Sequence, residues 1–175
     1  MTEAQDSPAI PPNDVAAAEF AQNMRAFKNG ANWFYWIAGL SIVNSVVSLA
    51  QGTLGFIVGL GVTQLVDAIA GSILAENTEA AGTVRIIALG ASVFFAGFFA
   101  LFGWLANRGQ GWALLVGMVL YLLDGLLFVL VQDWLSLAFH GFALYCMFQG
   151  YTALRKLKAL LPPASAQPAA FGPNI

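Results

Sequence analysis

The chain has 175 residues, of which 59% are apolar, 13% aromatic and only 9% charged, and its mean hydropathy is +0.74. Soluble domains carry roughly a quarter charged residues, so this composition points to lipid as the solvent. Net charge is −2 with seven scattered basic residues and a single cysteine, which excludes the basic footprint of a nucleic-acid binder and any disulfide framework within the chain.

Residues 1–14 combine Pro8, Pro11 and Pro12 with Glu3, Asp6 and Asp14. Such a segment buries too little apolar surface to offset chain entropy, and a disordered acidic tail is expected. It lacks the basic start and early apolar stretch of a secretory signal, so the first span is expected to remain in the mature protein. Asp14 is a candidate N-cap, and Phe20, Met24 and Phe27 recur at helical spacing, which predicts a juxtamembrane amphipathic helix over 15–30.

Four segments read as membrane spans, near 31–50, 86–106, 112–132 and 134–154, each close to the ~20 residues that cross a bilayer core. Trp33, Trp36, Trp104, Trp112 and Trp134 fall near their ends, where indole rings anchor at the headgroup level. The segment 53–74 is long enough to cross but carries Gln64, Asp67 and several glycines. Charge bias decides its reading. If 53–74 does not cross, Arg25, Lys28, Arg108, Arg155, Lys156 and Lys158 lie on one side and Arg85 alone on the other; if it crosses, the bias vanishes. The expectation is therefore an all-α integral membrane four-helix bundle with both termini cytoplasmic and 53–74 re-entrant or lying along the outer face. After Pro162 and Pro163, residues 161–175 are expected to be disordered.

Lipid supplies no hydrophobic drive for helix association, so small and polar stripes mark the packing faces. These are Ser41, Asn44, Ser45 and Ser48 in the first span, Ala88, Ser92, Ala96 and Ala100 in the second, and Ser136, His140, Ala143, Met147 and Gly150 in the last. Phe94, Phe98 and Phe102 are expected to face lipid. Counting inward from Gln51, Arg85 and Asp133 places Asn44, Ser92, Asp124 and His140 at nearly one depth, a candidate intramembrane polar layer. Asp124 and His140 sit on consecutive helices and are expected to pair. Ionisable groups in a bilayer suggest function by default, yet a pair that ties two helices together satisfies the same physics and is the preferred reading. Asp67 either dips into this layer with Thr63 and Gln64, or faces water outside the bilayer.

No catalytic constellation is evident. One His and one Cys six residues later make no metal site, no loop cradles phosphate, and Ser136 near His140 lacks a nucleophile turn. No cofactor is expected. The stretches Asn32-Trp-Phe-Tyr-Trp-Ile-Ala-Gly-Leu-Ser41 and Asp133-Trp-Leu-Ser-Leu-Ala-Phe-His-Gly-Phe-Ala-Leu-Tyr145 resemble those of small bacterial multi-pass membrane proteins of no assigned activity. That resemblance implies a bacterial inner membrane and no mechanism. The expected role is structural or accessory, with the lipid bilayer and a homo-oligomer or larger membrane complex as partners. The alternative is a small transporter or proton-coupled channel built on Asp124 and His140.

Overall fold

In the computed structural model, residues 12–49, 59–76 and 81–160 are described. Among them the chain is entirely helical: α1 (Pro12–Leu49), α2 (Gly61–Glu76), α3 (Ala81–Asn107), α4 (Gly111–Leu130) and α5 (Trp134–Leu160). The expected tail over 161–175, most of the tail over 1–14, and residues 50–58 at the start of the 53–74 segment lie outside the described residues.

The juxtamembrane helix and the first span form one continuous helix of 38 residues. It starts at Pro12, whose fixed φ suits a first turn, so Asp14 lies inside that turn and complements the helix dipole instead of capping from outside. Gly30, in mid-helix, does not break it. A Cβ built on Gly30 would fall 2.6 Å from the Gly150 Cα, and one on Gly150 would fall 2.7 Å from the Gly30 Cα, so the pair of glycines lets α1 and α5 touch backbone to backbone. α3 begins five residues earlier than expected and α5 runs on to Leu160, which carries Arg155, Lys156 and Lys158 within the helix.

α1, α3, α4 and α5 pack as a four-helix bundle in which α1 contacts α3 and α5, while α4 closes the ring by contacting the same two. Directions follow from specific contacts. Lys28 Nζ donates to the Asn107 carbonyl at 3.1 Å and Asn107 Nδ2 donates to Asn32 Oδ1 at 3.2 Å, so α3 ends beside the first half of α1 and the two are antiparallel. Phe34 fills the middle of this half. It is fully buried against Phe99 and Phe102, and a Cβ on Gly117 would overlap its ring.

α2 is inserted among α1, α3 and α4 at the opposite end. The described chain resumes at Gly59 beside Ser41 and Asn44, about two turns back from the end of α1. Leu60 then meets Ser41, and Asp67 meets Ser45 further along α1, so α2 starts inside the bundle and runs out in the direction of α1. Its 16 residues span about 24 Å at about 1.5 Å per residue.

An apolar core built on Phe34, Ile37, Leu114 and Met147 also encloses polar side chains, and large apolar side chains cover much of the outside. Ser41, Asn44, Ser45, Thr63, Asp67, Ser92, Asp124, Ser136 and His140 are buried, while Ile86, Ile87, Phe94, Leu122, Leu123, Leu126, Leu130, Phe142, Tyr145 and Phe148 are exposed. α3 and α4 are long and apolar enough to cross a membrane. α1 and α5 are longer or as long but less apolar, because they carry charged ends, with Asp14, Glu19, Arg25 and Lys28 in α1 and Arg155, Lys156 and Lys158 in α5, besides the buried Ser41, Asn44, Ser45, Ser136 and His140.

Two details of the packing faces differ from expectation. Ser48 is exposed, because α2 covers only Ser41, Asn44 and Ser45 of that stripe. Phe102 is buried, although Phe94 and Phe98 on its nominal stripe are exposed. Steps of four residues at 3.6 per turn advance the stripe by about 40° each, so eight residues turn Phe102 inward, where it meets Phe34, Phe98 and Trp112.

Candidate functional site

A helix that begins inside a bundle exposes its first backbone N–H groups with no carbonyl to receive them. Here a carboxylate from α4 receives two. Gly61 N–H donates to Asp124 Oδ2 at 2.6 Å and Val62 N–H donates to Asp124 Oδ1 at 2.9 Å. The preceding Leu60 N–H donates to Ser41 Oγ at 2.7 Å, and that hydroxyl donates in turn to the Ile37 carbonyl at 2.8 Å. Thr63 Oγ1 donates back to the Leu60 carbonyl at 2.8 Å. The start of α2 is thus held by side chains of α1 and α4, with the negative carboxylate at the positive end of the helix dipole.

Glycine at 59 and 61 permits this approach. Gly59 has φ +155°, and a Cβ there would lie 3.0 Å from Asn44 Nδ2 and 3.2 Å from Ser41 Oγ. A Cβ on Gly61 would lie 2.9 Å from the Phe128 ring and 3.0 Å from the Asp124 carbonyl oxygen.

His140 completes the site from α5. Its Nε2 is 3.2 Å from Asp124 Oδ2, and its Nδ1 is 2.9 Å from the Ser136 carbonyl. A carbonyl only accepts, so Nδ1 carries a proton, and a hydrogen bond from the ring to Asp124 needs a second proton on the pair. The imidazole packs against two rings, Tyr121 stacked on it at 4.2 Å and the tilted Phe128 at 4.9 Å. Gly125, one residue after the carboxylate, leaves room for it: a Cβ there would lie 3.1 Å from His140 Cδ2. The short turn between α4 and α5 sets the register. Gln132 adopts φ 56°, and Asp133 caps α5 by accepting from Ser136 N–H at 3.1 Å and Ser136 Oγ at 2.5 Å. Those two donors hold the Asp133 carboxyl below the usual carboxylate range. The Ser136 hydroxyl is therefore turned to Asp133 and away from His140.

Of the residues placed in one layer by counting depth, Asp124 and His140 are bonded to each other and Asn44 lies beside Gly59 at the same helix start. Ser92 is buried as well, but its hydroxyl has no hydrogen-bond partner among the described residues. Asp67 is buried and does not face water. Its Oδ2 accepts from Ser45 Oγ at 2.8 Å, while Oδ1 has no partner among the described residues, nor has Gln64 Nε2 one turn earlier. Sequence reasoning did not find the role of Ser41 as acceptor for Leu60, nor the backbone of Gly61 and Val62 as the real partner of Asp124. The only signal for it was Gly59-Leu-Gly61 ahead of an apolar helical run, read against a carboxylate with no cation in its own helix.

Among the described residues no group of three His, Cys, Asp or Glu is placed to hold a metal. The chain matches no protein-family model, no curated protein and no solved structure.

Proposed function

We propose that this chain is a multi-pass protein of a bacterial inner membrane in which α1, α3, α4 and α5 cross the bilayer, α2 is a half-helix in the outer leaflet, and both termini are cytoplasmic. Its role in this reading is structural or accessory, without catalysis. The observation that carries it is the placement of polarity: Asp, His, Asn and Ser are buried while Ile, Leu and Phe cover much of the outside, a surface that suits contact with lipid. Hydropathy averaged along α1 and α5 understates this, because lipid meets only their outer faces.

Orientation is supported by charge. Arg25, Lys28, Arg108, Arg155, Lys156 and Lys158 gather at the end where Lys28 meets Asn107, and Arg85 sits near the start of α3 at the other end. The structural role is supported by what the central carboxylate does: Asp124 is engaged by two backbone N–H groups and the imidazole, all within the fold. A thiol-accessibility scan in intact cells tests the topology. In a Cys146→Ala background, Gln132→Cys is expected to label from outside and Leu160→Cys only after permeabilisation; labelling of Leu160→Cys from outside refutes it.

A second reading, a small proton-coupled transporter, draws on Asp67, a buried carboxyl with one oxygen unpartnered among the described residues. Proteoliposomes subjected to a pH jump separate the two. A proton flux lost in Asp67→Asn supports transport, and the absence of flux above protein-free vesicles supports the structural role.

A further inference from the structure

A groove of about 1060 Å³ runs along the outer faces of α1 and α5. Its lining changes character with position: Gln22, Arg25 and Asn29 with Gln149 stand at one end, and Leu40 with Phe139 at the other. From Gln22 to Leu40 is 18 residues of α1, about 27 Å at about 1.5 Å per residue, somewhat more than one leaflet with its headgroup layer at about 20–22 Å. The polar end coincides with the end that gathers six of the seven basic residues.

The charges at that end are not equivalent. Lys28 donates to the carbonyl and side-chain oxygens of Asn107, and the Arg108 guanidinium lies 3.5 Å over the Trp104 ring. Arg25 is exposed, and its Nε makes only a long 3.4 Å bond to the Ala21 carbonyl of its own helix; among the described residues no carboxylate pairs with it. A cation with unused donors therefore stands at the mouth of a groove whose floor is amide-rich beside it and apolar beyond it.

We propose that this groove binds one acidic phospholipid, with the phosphate on Arg25 and the side-chain amides of Asn29 and Gln149, and an acyl chain laid along Trp36, Leu40 and Phe139. The inference rests on the membrane reading above. Anionic charge is selected because the polar end offers a free guanidinium and no acidic group in the lining.

Native mass spectrometry of the full chain released from detergent, titrated with phosphatidylglycerol or phosphatidylcholine of identical acyl chains, tests the site. The first phosphatidylglycerol is expected to bind about fivefold more tightly than phosphatidylcholine, the increment of one basic side chain near an anionic headgroup, and Arg25→Gln is expected to remove that preference. Cys146→Phe, which narrows the groove, is expected to weaken the first bound copy of either lipid. Equal binding of the two headgroups, a preference that survives Arg25→Gln, displacement by equimolar glycerol phosphate, or a second copy of the chain in the groove each overturns the proposal. Arg25 is exposed, so its replacement leaves the fold intact, and circular dichroism verifies this. A chain that stays monodisperse without detergent sinks the membrane reading itself; a detergent-dependent chain indifferent to headgroup sinks only the lipid site.

Discussion

Around Phe34 the helices meet through backbone and rings: Gly30 against Gly150, Gly117 and Gly103 against Phe34, and Phe99 and Phe102 closing the layer. Around Asp124 they meet through hydrogen bonds to a fifth helix that starts among them. The first half needs no buried polar group, because continuous helices satisfy their own backbone, and its hydrogen bonds between α1 and α3, through Lys28, Asn32 and Asn107, lie at the exposed end. The second interrupts that economy. A helix that begins inside must find acceptors for its first N–H groups; a carboxylate and a serine accept them, and an imidazole holds the carboxylate. The burial of Asp124 is thus explained by an irregular backbone, and the two halves should fail in different ways.

The largest effect is expected at the inserted helix. Asp124→Ala leaves the Gly61 and Val62 N–H groups and His140 without their acceptor, a loss of about 3–5 kcal/mol for a broken buried network. Hydrogen exchange should speed up over 60–64 and remain slow over 27–38; uniform acceleration would mean the two halves are not separable. In the dry half, Gly30→Val forces α1 and α5 apart against rigid backbone and should cost about 1–3 kcal/mol, with the opposite exchange pattern. Thermal unfolding in a fixed detergent measures both.

A smaller effect belongs to the turn that sets the register of His140. Asp133→Ala removes the α5 cap and should cost about 1 kcal/mol. The folded carboxyl is held below its unfolded value, so the cap contributes fully above the ordinary carboxylate range and is lost as pH falls through the folded value. The stability difference between wild type and Asp133→Ala should therefore shrink on acidification below about pH 4. A difference that grows instead rules out the cap.

The smallest effect sharpens the comparison from inside the polar layer. Ser92 shares the layer by depth but has no hydrogen-bond partner among the described residues, so Ser92→Ala should change stability by less than about 0.5 kcal/mol or raise it slightly. A large loss would show that Ser92 holds the layer after all.

The helical class was legible without coordinates because long apolar runs with aromatic ends read as helices, whereas the expected helix over 15–30 and the run over 31–50 proved to be parts of one helix. Pairing of Asp124 with His140 was legible too, since only a three-residue turn separates their helices. The depth count grouped Ser92 with them because it measures position along an axis and carries no information about which face a residue turns to a neighbour. Phe102 was misplaced for a different reason, the drift of a four-residue stripe around the helix. Asp67 stayed ambiguous for another reason: its surroundings are set by Ser45, 22 residues away, and no local pattern encodes that contact.

By itself the amino-acid sequence determined the helical class, the outward apolar surface, the clustering of basic residues at one end and the polar identity of each packing stripe, all consequences of composition and period. Tertiary structure alone decided that α2 begins inside the bundle and that Asp124 is the acceptor for its first N–H groups. Backbone donors are the same in every residue, so a carboxylate whose partner is a main chain leaves no complementary side chain to be read.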